Sequence, residues 1–407
     1  MRCIFCSNKI EKAHSFGPQI VCTHFVAADE SPDDKFHQDL SIGFCDNCGL
    51  IQQTNLFPTE QLVPPYEWLQ CTEPEAHLDQ LVLDFSKKYN FTKESKIIGV
   101  SWKDDTTLER IEEQIGCQTY RLSPDKDLGI LNPLTDIESV QDQLTKTNIN
   151  KLEEHREKYD FLFARHILEH AHNLREFIEA SLLLVKDNGH LMFEIPDCLR
   201  ALESLDYTAI WEEHTLYFTP STFQHIFQEM GLELTHYQCA EYTLENSLIV
   251  VLKRTNTNCY KPDLKEYIHS QESLYNSYIS GFHTTKNNLH ALLGAERSKA
   301  KKVTLFGAAH MSIIFINLMK AEGLIDYVID DNANKLQYRM PGSGLKIVKS
   351  TTLKEDDVDI CILSLSPISE DKVLPNHKYF EQRGGTWYSI FPGNPKALPI
   401  YRGASNE

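Results

Sequence analysis

Two short cysteine pairs constrain the N-terminus more than any other feature of the chain. Cys3 and Cys6 are separated by two residues, as are Cys45 and Cys48, and 38 residues lie between the pairs. Each C-x2-C turn presents two thiolates to one side, and two such turns complete the tetrahedral four-thiolate shell of a structural zinc ion. A redox motif needs only one pair and leaves the second without a purpose. Such a closed shell has no open coordination position. The expectation is a zinc that folds a module over residues 1–70 and takes no part in chemistry. Gly49 directly follows the second pair, where a tight turn benefits from a residue without a side chain.

The remaining cysteines, Cys22, Cys71, Cys117, Cys198, Cys239, Cys259 and Cys361, stand singly. In a chain of 407 residues they read as buried thiols of a reducing compartment rather than a disulfide framework. There are 40 Lys+Arg against 58 Asp+Glu, a formal charge of −18 that repels phosphate backbones, so no nucleic-acid partner is expected. Hydrophobic residues make up 41% and charged ones 24%, an ordinary globular balance, and the length suits two to four domains. No aliphatic run approaches the ~20 residues of a membrane helix, and Met1–Cys6 leads into polar residues rather than an apolar leader. A cytoplasmic protein without membrane insertion is expected.

Residues 71–254 alternate between strand and helix patterns. Lys96–Val100, Thr119–Leu122, Tyr159–Ala164 and His190–Ile195 read as strands, and Thr107–Ile115 as a helix. Leu174, Phe177, Ile178, Ser181, Leu182 and Val185 share one helical face, with Asn173 and Glu176 as a capping pair. Asp187-Asn-Gly189 signals a turn. Pro220 behind Thr219 opens a helix that Gly231 ends, and strands at Leu232–Tyr237 and Ser247–Leu252 close the unit. This alternation predicts an α/β fold with a mainly parallel, Rossmann-like sheet covered by helices on both faces. Thr255–Asn288 reads as the start of a helical connector, assigned to 255–295. A second, smaller Rossmann-like unit over 296–407 starts with the strand Val303–Phe306 and the turn Gly307-Ala-Ala-His310. Its single Gly307 falls short of a dinucleotide fingerprint.

Ala164-Arg-His-Ile-Leu-Glu-His170, Phe193-Glu-Ile-Pro-Asp197 and Glu212-Glu-His-Thr-Leu-Tyr-Phe218 together resemble class I S-adenosylmethionine-dependent methyltransferases. The closest resemblance is to the C-methyltransferases of nucleotide-linked ketosugars, which also begin with a four-cysteine zinc module and end with a second α/β domain. The resemblance implies that a base removes a weakly acidic proton beside the sugar carbonyl, donors stabilise the enolate oxygen, and the carbon then takes the sulfonium methyl group. His214 matches the family's catalytic histidine, with Glu213 orienting or polarising it, and Tyr66 in Pro64-Pro-Tyr-Glu-Trp68 is a candidate phenolic donor to the sugar. His170 matches a position in the substrate cleft, and His166 stands where the family usually has asparagine.

The cofactor turn departs from the family pattern Glu-x-Gly-x-x-x-Gly. Gly99 falls at the Glu position, Ser101 at the first Gly and Asp105 at the second, while Asp104 remains. After the second strand, where an acid normally meets the ribose hydroxyls, the chain offers Ser123 and a displaced Asp125. The resemblance thus points to Ser101, Asp104, Asp125 and His166 around S-adenosylmethionine, with His170 and Lys335 toward the nucleotide-linked sugar. Two other functions stay open at this level. One is a scaffold that binds a nucleotide sugar without methyl transfer, and the other is an epimerase or isomerase using the same base.

Overall fold

The computed structural model describes residues 1–32, 35–69, 73–134, 136–254 and 264–401. They form two compact units. The first contains residues 1–13, 42–199 and 213–272, and the second residues 14–41, 200–212 and 273–407.

The first unit is built on a six-stranded sheet. Its strands are β1 (Ile97–Gly99), β2 (Thr119–Arg121), β3 (Tyr159–Arg165), β4 (Val185–Pro196), β5 (Leu232–Ala240) and β6 (Ser247–Arg254). Their spatial order is β5-β6-β4-β3-β1-β2. The β2–β1, β1–β3 and β3–β4 pairings are parallel, whereas β4–β6 and β6–β5 are antiparallel.

Successive side chains leave a strand on opposite faces, and the burial follows that period of two. Ile98, Leu162, Leu191, Phe193 and Val250 enter one apolar core, and Ile97, Phe161, Phe163, Met192 and Ile249 enter the other. Helices α1 (Leu78–Lys88) and α2 (Asp105–Ile115) cover the second face with Leu81, Val82, Phe85, Leu108 and Ile111. Helices α3 (Ile137–Gln143), α4 (Leu174–Leu182) and α5 (Pro220–Ile226) bury Val140, Leu174, Phe177, Ile178 and Phe223 in the first. Truncating a ring such as Phe163, fully buried between layers, costs about 3–5 kcal/mol.

The caps follow the sequence rules. Asn173 Oδ1 accepts from the Glu176 amide at 3.1 Å, and Thr219 Oγ1 accepts from the Thr222 amide at 3.2 Å. The cysteine turns belong to the same core as the sheet, for Cys3, Cys45 and Cys48 pack in its first apolar cluster with Phe5 and Leu50. Each turn is closed by a left-handed residue, Ser7 at φ 64° and Gly49 at φ 71°. Their amides donate to the Cys3 and Cys45 carbonyls at 3.0 and 2.8 Å. A Cβ on Gly49 would come within 2.7 Å of the Tyr267 hydroxyl, which itself donates to the Cys48 carbonyl at 3.1 Å.

A long helix, α6 (Lys265–Arg297), starts in the first unit and continues into the second. The second unit contains a five-stranded, wholly parallel sheet of β7 (Lys302–Phe306), β8 (Tyr327–Ile329), β9 (Ile347–Val348), β10 (Val358–Leu363) and β11 (Thr386–Ser389), ordered β9-β8-β7-β10-β11. Helix α7 (His310–Met319) follows β7 through Gly307, whose φ of +107° and approach to the Ser364 carbonyl exclude a side chain. Residues 14–41 and 200–212 also belong to this unit. Val26–Ala27 pairs antiparallel with Tyr338–Arg339, and Phe16, Tyr207 and Phe282 form an aromatic cluster.

Several expectations need adjustment. The 1–70 module is not a unit by itself, because its two cysteine turns lie in the first unit and residues 14–41 in the second. Asp187-Asn-Gly189 lies within β4 and not before it, at a register shift where the pairing with β3 jumps from Val185 to His190. Val185 therefore begins a strand and does not extend the α4 face. Cys239 is half-buried rather than buried, and Cys71, Cys259 and residues 255–263 of the connector lie outside the described residues.

Candidate active site

The site of the first unit gathers at the C-terminal ends of its parallel strands, where loops leave the sheet and open α/β sheets bind ligands. Two features lie there, a cavity and a cluster of histidines and carboxylates.

The cavity has a volume of about 470 Å³ and is lined among others by Tyr66, Ser101, Trp102, Leu122, Asp136 and Val140. Ligand sites run to roughly 300–1,000 Å³, so it is large enough for a small molecule. Trp102 forms a wall of the cavity, with its Nε1 donating to Asp136 Oδ1 at 3.0 Å. The Tyr66 ring stacks on Trp68 with centroids 5.2 Å apart. Arg121, also in the lining, ends β2 and pairs with Asp105 at 2.9 Å.

The turn after β1 explains how the chain does without the family's glycines. Ser101 sits at φ −138° and ψ 175°, an extended conformation that strains no side chain, and caps the following turn. Asp104 accepts from the Val100 and Ser101 amides through Oδ2 at 2.8 and 2.9 Å, and from the Arg165 amide through Oδ1 at 2.9 Å. Its carboxylate thus ties the β1 turn to the end of β3. A Cβ at Gly99 would lie 2.8 Å from the Asp104 Cβ, so this acid requires glycine where the family has glutamate. Asp104 is fully buried and absent from the cavity lining. Burial pushes its carboxyl up to about 7, against the pull of these amides and of Arg165.

Below this turn lies a buried ionic network that the sequence reading missed. Arg165 Nε donates to Glu194 Oε2 at 2.6 Å, and Arg165 Nη1 donates to the Lys103 carbonyl at 2.8 Å. His77 Nε2 lies 3.0 Å from Glu194 Oε1. His166, at φ +47°, is held between Glu169 at 3.5 Å and Glu194 at 3.4 Å. Burial favours its neutral ring, but Glu73, Glu169 and Glu194 outweigh that and raise it to about 10. Burial also pushes Glu194 up, and Arg165, His166 and His77 overcome it, holding the carboxyl well below the usual range.

The histidine–carboxylate cluster is assembled by backbone staples. Gln53 Nε2 donates to the His214 carbonyl at 2.9 Å, and the Gln53 amide donates to the Thr215 carbonyl at 2.8 Å. The Thr215 amide donates to the Glu169 carbonyl at 2.9 Å, and its hydroxyl to the Ala171 carbonyl at the same distance. This segment therefore carries the half-buried His214 to His170, whose ring it meets edge-on at 4.8 Å between centroids. Helix α3 and its N-cap contribute side chains to both features. Asp136 and Val140 line the cavity, while Glu138 turns to His170 and Gln141 Oε1 accepts from the His172 amide at 3.0 Å. His170 Nδ1 lies 2.5 Å from Glu138 Oε1. Burial favours the neutral His170 ring, and the Glu138 charge and hydrogen bond outweigh it and raise its pKa.

The structure thus brings His214, Glu213 and His170 together and adds Glu138 and Glu169. Tyr66 and Ser101 share the cavity. Asp104 and His166 are buried in the ionic network. Asp125 is exposed, bonded to the Ser123 hydroxyl, and outside the cavity lining. Lys335 lies in the second unit, 3.0 Å from Asp330. The four cysteines converge, with Cys3 and Cys48 sulfurs 3.7 Å apart and those of Cys6 and Cys45 3.5 Å apart.

Comparison with known families gives two matches. Residues 65–237 match a methyltransferase domain, and residues 258–392 match the C-methyltransferase C-terminal domain. The chain is an enzyme of the methyltransferase class. Its first sheet is the class I methyltransferase sheet, and β7–β11 form the Rossmann-like sheet of the C-terminal domain. No curated protein matches the chain. Among solved structures it is similar to the 1,6-didemethyltoxoflavin N1-methyltransferase of Burkholderia thailandensis, at 11% identity, 45% of this chain, 80% of that one and a TM-score of 0.32. A putative sarcosine dimethylglycine methyltransferase from Galdieria sulphuraria matches at 8% identity, covering 44% of this chain and 85% of that one with a TM-score of 0.31. No described helix is long and apolar enough to cross a membrane.

Proposed function

We propose that this methyltransferase alkylates a carbon of a nucleotide-linked ketosugar with S-adenosylmethionine as donor. The observation that carries the reading is the half-buried His214 ring edge-on to His170, with Glu213 beside it and the buried Glu138 and Glu169 behind. A histidine reaching a ligand on one side and carboxylates on the other suits removal of a proton beside a carbonyl. His214 takes that proton, Glu213 orients the ring, and the C–H electron pair moves to the sugar oxygen. Tyr66 is the hydroxyl donor at the cavity side.

The cavity residues fit the cofactor. The rings of Trp102 and Tyr66 with Leu122 and Val140 offer apolar faces to an adenine, and the Ser101 turn stands at the end of β1. S-adenosylmethionine, when bound, supplies the electrophilic methyl group. The four sulfurs likewise fit zinc, since bonds of about 2.3 Å in a tetrahedron put sulfurs about 3.8 Å apart, close to the spacing observed.

His214→Ala tests the reading. Methyl transfer to a ketosugar nucleotide should fall at least ~100-fold, the usual weight of general-base catalysis, while calorimetry shows unchanged S-adenosylmethionine affinity. Undiminished transfer in the variant contradicts it.

A further inference from the structure

The carboxylates around His170 exceed what the proposed proton transfer uses. One donor atom each from Glu138, His170 and Glu213 lies within 4.8 Å of the others, and Glu169, His170 and His214 form a second such group. Glu138 and Glu169 are each 2% exposed. Oε2 of both is buried without a hydrogen-bond partner, although the opposite oxygen of Glu138 meets His170. A buried, unsatisfied carboxylate oxygen carries a desolvation penalty that a bound cation offsets. Glu213 is half-buried, so the group has one open side.

We propose that Glu138, His170 and Glu213 form a site for one divalent cation of the Mn²⁺ class. One imidazole and two carboxylates are the donors that such ions accept, and three protein ligands leave coordination positions for a substrate oxygen. The inference rests on the reading of this site as the ketosugar site and adds a Lewis acid to it. The sugar carbonyl oxygen meets the cation, the C–H bond breaks, its proton goes to His214, and the electron pair is stabilised on that oxygen. No electron is gained or lost by the metal.

The experiment titrates Mn²⁺ into zinc-replete full-length protein and follows the loss of the free-ion electron paramagnetic resonance signal. Mn²⁺ is the chosen probe because thiolates select softer ions, leaving the cysteine cluster aside. The expected result is one Mn²⁺ per chain, with affinity reduced at least tenfold in Glu138→Gln and in Glu213→Gln while circular dichroism shows both variants folded. Absence of bound Mn²⁺, or binding that neither substitution weakens, overturns the proposal. Methyl transfer is assayed in the same samples. Bound Mn²⁺ without transfer to any ketosugar keeps the cation site and removes the substrate reading; full transfer in zinc-replete protein that binds no Mn²⁺ does the reverse.

Discussion

Asp104 accepts the Val100 and Ser101 amides with one carboxylate oxygen and the Arg165 amide with the other, joining β1 to β3 across 61 residues of sequence. This one side chain closes the turn beside the cavity, and it is why the turn needs glycine at position 99 rather than further along. Asp104→Ala leaves the Ser101 and Arg165 amides without their acceptor, while the Val100 amide keeps the Phe163 carbonyl at 3.2 Å. At about 1–3 kcal/mol for each buried unsatisfied group, the loss of stability should be at least ~2 kcal/mol. Urea denaturation measures it, and a change below ~1 kcal/mol refutes the role.

The His166 ring gives the first unit a dependence on pH. Its folded pKa of about 10 lies above the unfolded value near 6.5, so its contribution to stability is fully present below 6.5 and is lost as pH rises through 10. Urea midpoints should therefore decline between pH 7 and 10 in the wild type, and less steeply in His166→Gln. Parallel declines in the two proteins argue against a charged His166.

Zinc removal should act on the whole first unit, because Cys3, Cys45 and Cys48 pack in the same core as the sheet. Cys45→Ser is expected to release one zinc per chain, read by a chromophoric chelator, and to expose apolar surface beyond the N-terminus. Hydrogen exchange that changes only over residues 1–13 and 42–53 counts against that coupling.

Trp102 forms one wall of the cavity. Its loss in Trp102→Ala should weaken S-adenosylmethionine binding about tenfold or more, in line with the ~1–3 kcal/mol that base–aromatic stacking provides. Calorimetry reads the change, and unaltered affinity moves the adenine elsewhere.

Much of this architecture is legible from local patterns. Short apolar runs located the strands, Asn173 and Thr219 cap the helices they precede, and the cysteine spacing brings four sulfurs to one place. The rest depends on contacts that leave no local trace. Nothing in the local sequence singles out Glu138, which the fold sets against His170. Arg165, Glu194 and His77 come from separate elements, and Cys22 meets Glu212 across 190 residues. The 1–70 segment reads as one module because its two cysteine pairs bracket it, yet residues 14–41 pack in the second unit. The Asp187-Asn-Gly189 turn signal marks an irregularity inside β4, where the register against β3 jumps from Val185 to His190.

The most direct test is transfer of a trideuterated methyl group from labelled S-adenosylmethionine to a panel of nucleotide-linked ketosugars, with the product read by mass spectrometry and carbon NMR. The account predicts a product heavier by one CD₃ in place of hydrogen, attached to the carbon beside the carbonyl, and an equal amount of S-adenosylhomocysteine. A label found on oxygen or nitrogen, or a panel returned unmethylated by folded, zinc-replete enzyme, contradicts it.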